Sequence, residues 1–185
     1  MDHYLDIALL PDPEFPTPTL MNALFAKLHR VLVQLNSSDI GVSFPAIARH
    51  HLGSVLRLHG SKSALENLMQ QSWLKGMRDH TEVGEAQSVP ANAGYCRVVR
   101  VQAKSSAERL RRRYQKRHPD ESPESVQQRV PDSIEQRLEL PFIRLKSLST
   151  GQDYPMFIQQ QPASDKQTGL FNTYGLSQTA TLPLF

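Results

Sequence analysis

The sequence predicts an α+β protein in two parts, an N-terminal βαββαβ domain over residues 1–94 and a C-terminal α/β domain over residues 95–185. Three observations carry this prediction. Apolar residues of the first part switch between strand and helix spacing, the charge changes sign between the parts, and a turn-forming segment at residues 90–94 separates them. Because 39% of the 185 residues are hydrophobic, the chain can bury a core.

The first part alternates strands and helices. Its first helix is predicted at residues 18–35, where apolar residues recur every three or four positions, namely Met21, Leu24, Phe25, Leu28, Leu32 and Leu35. A second helix begins at Ser61 and runs toward Trp73. Strands are predicted at residues 3–10, 40–45, 54–59 and 81–83. The order β-α-β-β-α-β is the ferredoxin-like topology, an antiparallel sheet backed by two helices and a frequent RNA-binding scaffold.

The second part combines helices with further strands. A capping box at residues 105–108 begins a helix that runs to about His118. A short helix at residues 123–129 and a helical turn at residues 133–138 follow. Strands are predicted at residues 95–102, 142–147, 154–159, 169–173 and 181–185.

Composition and motifs exclude several classes of protein. A single cysteine, Cys96, forbids an internal disulfide and a cysteine-rich zinc site. No apolar run could cross a membrane, and the acidic N-terminus is unlike a signal peptide, so we expect a cytoplasmic protein without a membrane partner. A glycine-rich phosphate loop, HExxH, GxSxG and a magnesium-binding acidic cluster are all absent from the sequence. We therefore expect neither a metal nor another cofactor.

Charge is concentrated in one segment of the second part. Residues 1–94 carry a net charge of −2 and residues 95–185 carry +5, and residues 97–117 hold nine basic side chains against one acid, Glu108. In the predicted helix five of them share one arc, namely Arg109, Arg112, Arg113, Lys116 and Arg117. Leu110 and Tyr114 point elsewhere, and Arg111 lies off the arc. A single-sign face favours a nucleic-acid backbone as its partner, with a solvated charged face as the alternative.

RNA fits this pattern better than DNA. A helix that reads DNA in the major groove carries its base-reading residues near its N-terminal end, whereas these charges accumulate toward the C-terminal end. Arg100 and Gln102 alternate on the preceding strand, and both side chains can bond base edges bidentately. The alternative is that Arg100 and Gln102 are ordinary exposed residues of a strand. A basic DNA-binding regulator is the less favoured alternative for the protein.

Metal-free RNA cleavage is compatible with these residues, because the ribose 2′-OH supplies the nucleophile and the protein need supply only acid, base and positioning. Histidine suits the work of the base. Among the seven histidines, His29 lies at the edge of the apolar stripe of the first helix, beside Phe25 and Leu32. It is a candidate base, and a boundary histidine hydrogen-bonded to a neighbouring carbonyl is the alternative.

Several segments, in order along nearly the whole chain, are similar to a known family. They are residues 2–7, 11–16, 24–29, 41–45, 100–105, 108–113, 140–142, 147–151 and 174–177. Together they resemble the CRISPR-associated, repeat-processing endoribonucleases of the type I-F subtype. No single segment would be specific, whereas so many in the right order are.

The resemblance implies a metal-independent endoribonuclease. Such an enzyme binds the stem-loop of the CRISPR repeat transcript, cuts at the 3′ side of the stem through 2′-OH attack, and stays bound to the crRNA beside other subunits of a surveillance complex. His29 would be the general base, Ser147 would hold the 2′-OH and Tyr174 would orient the imidazole. Ser149 and Thr150 would lie near the scissile phosphate. A non-catalytic RNA hairpin-binding subunit, with a structural His29, is the alternative.

The resemblance also implies RNA contacts. Arg100 and Gln102 would read base pairs at the foot of the stem, and Lys104 lies in the same matching segment. The basic helix would enter the RNA major groove through Arg113, Lys116, Arg117 and His118. Two positions depart from the family pattern. Lys116 replaces a usual arginine and loses the bidentate fork, and Tyr154, followed by Pro155, replaces an aromatic, commonly Phe, that stacks under the terminal base pair.

Overall fold

The computed structural model describes residues 1–102, 107–132, 138–146 and 151–185. Its helices are α1 (Thr17–Gln34), α2 (Lys62–Gln70), α3 (Ala107–Arg117) and α4 (Pro123–Arg129), with a 3₁₀ turn at Arg78–His80. Its strands are β1 (His3–Leu9), β2 (Gly41–Ser43), β3 (Val55–Gly60), β4 (Thr81–Val83), β5 (Gln87–Ser88), β6 (Gly94–Val101), β7 (Phe142–Lys146), β8 (Asp153–Ala163) and β9 (Leu182–Leu184). The α+β class predicted from the sequence is confirmed.

The first sheet follows the predicted element order. Its strands lie in the order β2-β3-β1-β4, every neighbouring pair is antiparallel, and β5 adds a short pairing to β1 that the sequence did not predict. The order β-α-β-β-α-β is present along residues 3–83. The ferredoxin-like classification itself stays a prediction.

The second sheet joins strands distant in sequence, in the order β7-β8-β6-β9 with antiparallel pairing throughout. One predicted strand is wrong, because residues 169–173 form no strand and belong to an irregular segment that ends in a turn. Asn172 and Gly175 explain the error. The Asn172 side chain accepts backbone hydrogen bonds, and Gly175 has φ +71°, so the local chemistry is that of a turn.

Helix α1 supplies much of the core that supports the candidate site. Pro18 stands in its first turn, where a missing N–H costs nothing. Seven side chains are buried, namely Leu20, Met21, Leu24, Phe25, Leu28, Val31 and Leu32. The Asn22 side chain, on the same helix, accepts a hydrogen bond from the backbone N–H of Arg144 in β7 at 2.9 Å. The helix is therefore fixed to the second sheet as well as being buried in the core.

The described chain divides into two compact units. Residues 1–101 and 140–185 form the larger unit, and residues 102–139 form the smaller one. Within the larger unit, Gln160 of β8 joins the sheets by bonding the backbone N–H of Phe44 at 2.9 Å and its carbonyl at 3.4 Å. The boundary predicted at residue 94 falls between the two sheets, and as a domain boundary it stays a prediction.

Two sequence predictions concern elements outside the described residues. They are the helical turn at residues 133–138, apart from Leu138, and the start of the capping box at Ser105. Among the helices that are described, none combines the length and apolar character needed to cross a lipid bilayer.

Candidate functional site

His29 lies on α1, half-buried at the edge of the buried stripe. Its Nδ1 is 2.8 Å from the carbonyl oxygen of Thr173. A carbonyl oxygen only accepts hydrogen bonds, so Nδ1 must carry the proton that is donated. In the neutral imidazole the lone pair then resides on Nε2. The carbonyl contact expected of a structural boundary histidine is therefore present. It leaves Nε2 able to accept a proton.

Tyr174 fixes the plane of the same imidazole. The rings of His29 and Tyr174 are stacked with centroids 3.9 Å apart and planes 12° apart. The Tyr174 ring is also nearly parallel to that of Phe25, at 6.3 Å and 7°. Phe25 precedes His29 by one helical turn, so both rings lie on the same face of α1. His29 is therefore held at one nitrogen and against one ring face.

A second tyrosine and an arginine extend this cluster. The hydroxyl of Tyr154 is 3.3 Å from that of Tyr174, and the Arg100 guanidinium lies 5.9 Å from the centroid of the Tyr154 ring. Arg100 is half-buried, and within the described chain its Nε is buried with no hydrogen-bond partner. Gln102 is exposed just beyond the end of β6. The larger unit thus brings His29, Tyr174, Tyr154 and Arg100 together.

The environment of Tyr174 keeps its hydroxyl protonated. Burial, the hydrogen bond with Tyr154 and the charge Tyr154 would carry on ionising raise the pKa of Tyr174 to about 12, against a smaller lowering by Arg100. The phenol therefore stays neutral across the physiological range. Tyr174 can orient its neighbour, but it offers no proton exchange near neutral pH.

The basic arc occupies the exposed face of α3 in the smaller unit. Arg109, Arg112, Arg113, Lys116, Arg117 and the following His118 are all exposed. The Tyr114 ring stacks on His118 with centroids 4.4 Å apart, and its hydroxyl donates to Glu121 at 3.0 Å. Arg111 points away from the arc and donates to the Val130 carbonyl and the Asp132 carboxylate. The helix therefore separates its structural arginine from its exposed ones.

Acidic neighbours neutralise only part of this face. Arg112 pairs with Glu108 at 2.7 Å, and both side chains are about three-quarters exposed, so the pair contributes little stability. Among the residues that are described, no acid pairs with Arg113, Lys116 or Arg117. These three cations face solvent, where an anionic ligand can reach them.

Four predicted site residues lie outside the described residues, namely Lys104, Ser147, Ser149 and Thr150. In the part of the chain that is described, no group of three or more His, Cys, Asp or Glu side chains could hold a metal ion. The proposed roles of all the site residues stay predictions.

Sequence reasoning missed the Thr173 carbonyl and the turn that presents it. A backbone carbonyl has no sequence signature, so the contact with His29, 144 positions away, could not be read from spacing. The turn had one: Asn172 and Gly175 are turn-forming residues that follow the apolar Leu170 and Phe171. The apolar pair favours a strand, whereas Asn172 and Gly175 determine a turn.

Together these features define an α+β protein that carries a candidate acid–base group in one compact unit and a candidate anion-binding helix in the other. The family model described as CRISPR-associated protein (Cas_Csy4) matches residues 4–185. The chain is 48% identical over 188 residues to the CRISPR-associated endonuclease Cas6/Csy4 of Pseudomonas aeruginosa (strain UCBPP-PA14). It is 45% identical over 186 residues to the protein of the same name from Escherichia coli (strain UTI89 / UPEC), and each alignment covers 100% of both chains. The chain belongs to the Cas_Csy4 family of CRISPR-associated proteins.

Proposed function

We propose that this chain is a metal-independent endoribonuclease that binds the stem-loop of a CRISPR repeat RNA and cleaves at the 3′ side of the stem. The observation that carries the proposal is the arrangement of His29. Its Nδ1 is hydrogen-bonded to the Thr173 carbonyl, which leaves Nε2 to accept a proton. Two full-length relatives bear the name CRISPR-associated endonuclease, which supports the same activity.

The chemistry follows from the tautomer of His29. Nε2 takes the proton of the ribose 2′-OH, and the 2′ oxygen forms a bond to the adjacent phosphorus. The bond from phosphorus to the 5′ oxygen of the next nucleotide breaks, and that oxygen takes up a proton as it leaves. The products are a 2′,3′-cyclic phosphate and a free 5′-OH. The stack with Tyr174 keeps the imidazole plane fixed during this transfer.

Other side chains would position the RNA. Ser147 would hold the 2′-OH, and Ser149 and Thr150 would lie near the scissile phosphate. Arg100, Gln102 and Lys104 would contact the foot of the stem, and Tyr154 would stack under its terminal base pair. The half-buried position of Arg100 beside Tyr154 and Tyr174 supports its assignment to the substrate side of the site.

The basic helix α3 would bind the stem. Its exposed cations can neutralise phosphates, and release of counterions from RNA would supply most of the affinity. The protein would remain bound to the crRNA after cleavage, beside other subunits of a surveillance complex.

The test uses a substrate change and leaves the protein intact. A single 2′-deoxy nucleotide 5′ of the scissile phosphate should abolish cleavage of repeat RNA while stem-loop binding is preserved. The unmodified RNA should be cut in EDTA, and its upstream product should end in a 2′,3′-cyclic phosphate. Cleavage of the deoxy substrate at the normal rate, or a strict need for magnesium, would refute the mechanism.

The same assay separates the alternative of a non-catalytic hairpin-binding subunit. Tight binding of unmodified repeat RNA without any cleavage would establish that alternative. In that case the carbonyl contact of His29 would be structural.

A further inference from the structure

The segment that contacts His29 is a tight turn organised by one side chain. The Oδ1 of Asn172 accepts hydrogen bonds from the backbone N–H of Tyr174 at 2.9 Å and of Leu176 at 3.2 Å. The backbone of Asn172 also bonds Gly175 N–H at 2.8 Å and Leu176 O at 2.9 Å. These bonds enclose Thr173 and Tyr174, which are the two residues that touch His29.

The turn is anchored to the core at both ends. On one side the Phe171 N–H donates to the Ser38 carbonyl at 3.0 Å, and the Phe171 side chain is buried. On the other side the Val42 N–H of β2 donates to the Gly175 carbonyl at 2.9 Å. Gly175 has φ +71°, and a Cβ there would meet Val42 Cγ1 at 2.7 Å, so only glycine fits. With its ends fixed, the course of the turn between them depends on Asn172.

We propose that Asn172 is a positioning residue that selects the reactive tautomer of His29. By holding the turn, its side chain aims the Thr173 carbonyl at Nδ1 and thereby keeps the lone pair of the neutral ring on Nε2. This proposal rests on the proposed function of His29 as the base. Asn172 itself touches neither the imidazole nor the RNA in this role.

Loss of the Asn172 amide has a chemical consequence. Two backbone N–H groups would lose their acceptor, and the carbonyl of Thr173 would no longer be held toward Nδ1. Either ring nitrogen could then carry the proton, so only part of the neutral His29 would present a lone pair at Nε2. Displacement of a catalytic group by about 1 Å costs up to about 100-fold in rate, and we expect a loss of about 5–50-fold here.

The experiment compares two substitutions by two measurements. Asn172→Ala removes the acceptor, whereas Asn172→Asp keeps an oxygen that can accept both N–H bonds. Imidazole ¹⁵N chemical shifts of neutral His29 report which nitrogen is protonated, and single-turnover cleavage at saturating protein reports the chemistry apart from RNA affinity. Asn92→Ala is the matched control, because Asn92 is an exposed turn residue outside the site.

We expect Asn172→Ala to average the two ¹⁵N shifts and to slow cleavage, and Asn172→Asp to restore both to near the original values. Unchanged shifts in Asn172→Ala, or changed shifts with an unchanged rate, would overturn the proposal. If Asn172→Ala does not fold, Asn172→Ser takes its place, because its hydroxyl accepts such backbone bonds more weakly and should change the shifts and the rate in the same direction by less. Failure of the unaltered protein to cut repeat RNA would refute the proposed function. It would leave the control of the tautomer by Asn172 open to test, because the ¹⁵N shifts measure that control without cleavage.

Discussion

The candidate base and the basic helix are built on different principles. His29 is fixed by residues 144 and 145 positions away, through a backbone carbonyl and a stacked ring. Helix α3 is held by partners close in sequence, since Tyr114 bonds Glu121 and Arg111 bonds Asp132. An acid–base group thus requires geometry imposed by the whole fold, whereas an anion-binding face requires only charge on a stable local scaffold.

The largest effect should come from the candidate base. His29→Ala should lower the cleavage rate of repeat RNA by about 10²–10⁴-fold, the usual worth of a positioned acid or base, and leave hairpin affinity nearly unchanged. Single-turnover cleavage and filter binding measure the two quantities. His50→Ala, at an exposed loop histidine, is the control and should change neither. A parallel loss of binding and cutting would show that His29 is structural.

Charge reversal on α3 should give the opposite pattern. Arg113→Glu should weaken stem-loop binding by about tenfold and reduce the slope of log affinity against log salt concentration by about one or more. Cleavage of the bound RNA should change little. Lys62→Glu, at an exposed lysine of the larger unit, is the matched control. Equal effects of Arg113→Glu and Lys62→Glu would contradict the prediction that α3 binds RNA.

Acid should lower the free energy of unfolding of the two compact units over different pH ranges. Burial lowers the pKa of His59 to about 3, while its hydrogen-bond partner, Ser43, is buried beside it. A histidine with a lowered pKa in the folded state contributes stability that is fully present above pH 6.5. That stability falls by about 1.4 kcal/mol per pH unit as the unfolded state takes up the proton, down to about pH 3.

The smaller unit should resist this acid range. Desolvation raises the pKa of Glu121, but hydrogen bonds from Ser125 and Tyr114 and the charge of Arg129 lower it by more, so the net direction is downward. Its contribution is therefore present above pH 4.5 and is lost only as the pH falls further. Denaturant unfolding at several pH values tests this difference, and His59→Gln should flatten the profile between pH 6.5 and 4.5. An unchanged profile would contradict the assignment to His59.

The smallest effect should be that of a single hydroxyl. Tyr174→Phe keeps the stack with His29 and loses only the 3.3 Å contact with Tyr154, so cleavage should slow by about two- to threefold. Tyr174→Ala removes the ring and should cost about tenfold. Single-turnover rates at saturating protein measure both. A loss for Phe as large as that for Ala would show that the hydroxyl, rather than the ring, is what His29 needs.

The sequence predicted the elements whose signals are local. The bounds of α4 agree with the prediction, and those of α1 differ by one residue at each end. Helix α2 was predicted to begin at Ser61, and Ser61 is its N-cap, with its side chain bonded to Ala64 N–H. Helical periodicity and capping depend on neighbours in sequence, which explains this success. The position of Arg111 off the exposed arc was predicted correctly as well, because it also follows from helical periodicity alone.

The candidate site could be predicted only in part. The position of His29 at the edge of the buried stripe follows from helical spacing, but its hydrogen-bond partner is a backbone atom brought there by the fold. The strand predicted at residues 169–173 is wrong because Leu170 and Phe171 suggest a strand, whereas Asn172 and Gly175 determine a turn. Phe171 is buried, so its apolar character was a signal for the core rather than for a strand.

The separation of 144 residues between His29 and Thr173 also has a meaning in time. During synthesis the histidine leaves the ribosome long before the carbonyl that holds it, by about 7–30 s at ordinary elongation rates of about 5–20 residues per second. The basic helix is finished in that interval. The helix proposed to bind RNA is therefore synthesised before the backbone partner of the proposed base, and the last portion of the chain completes the candidate site.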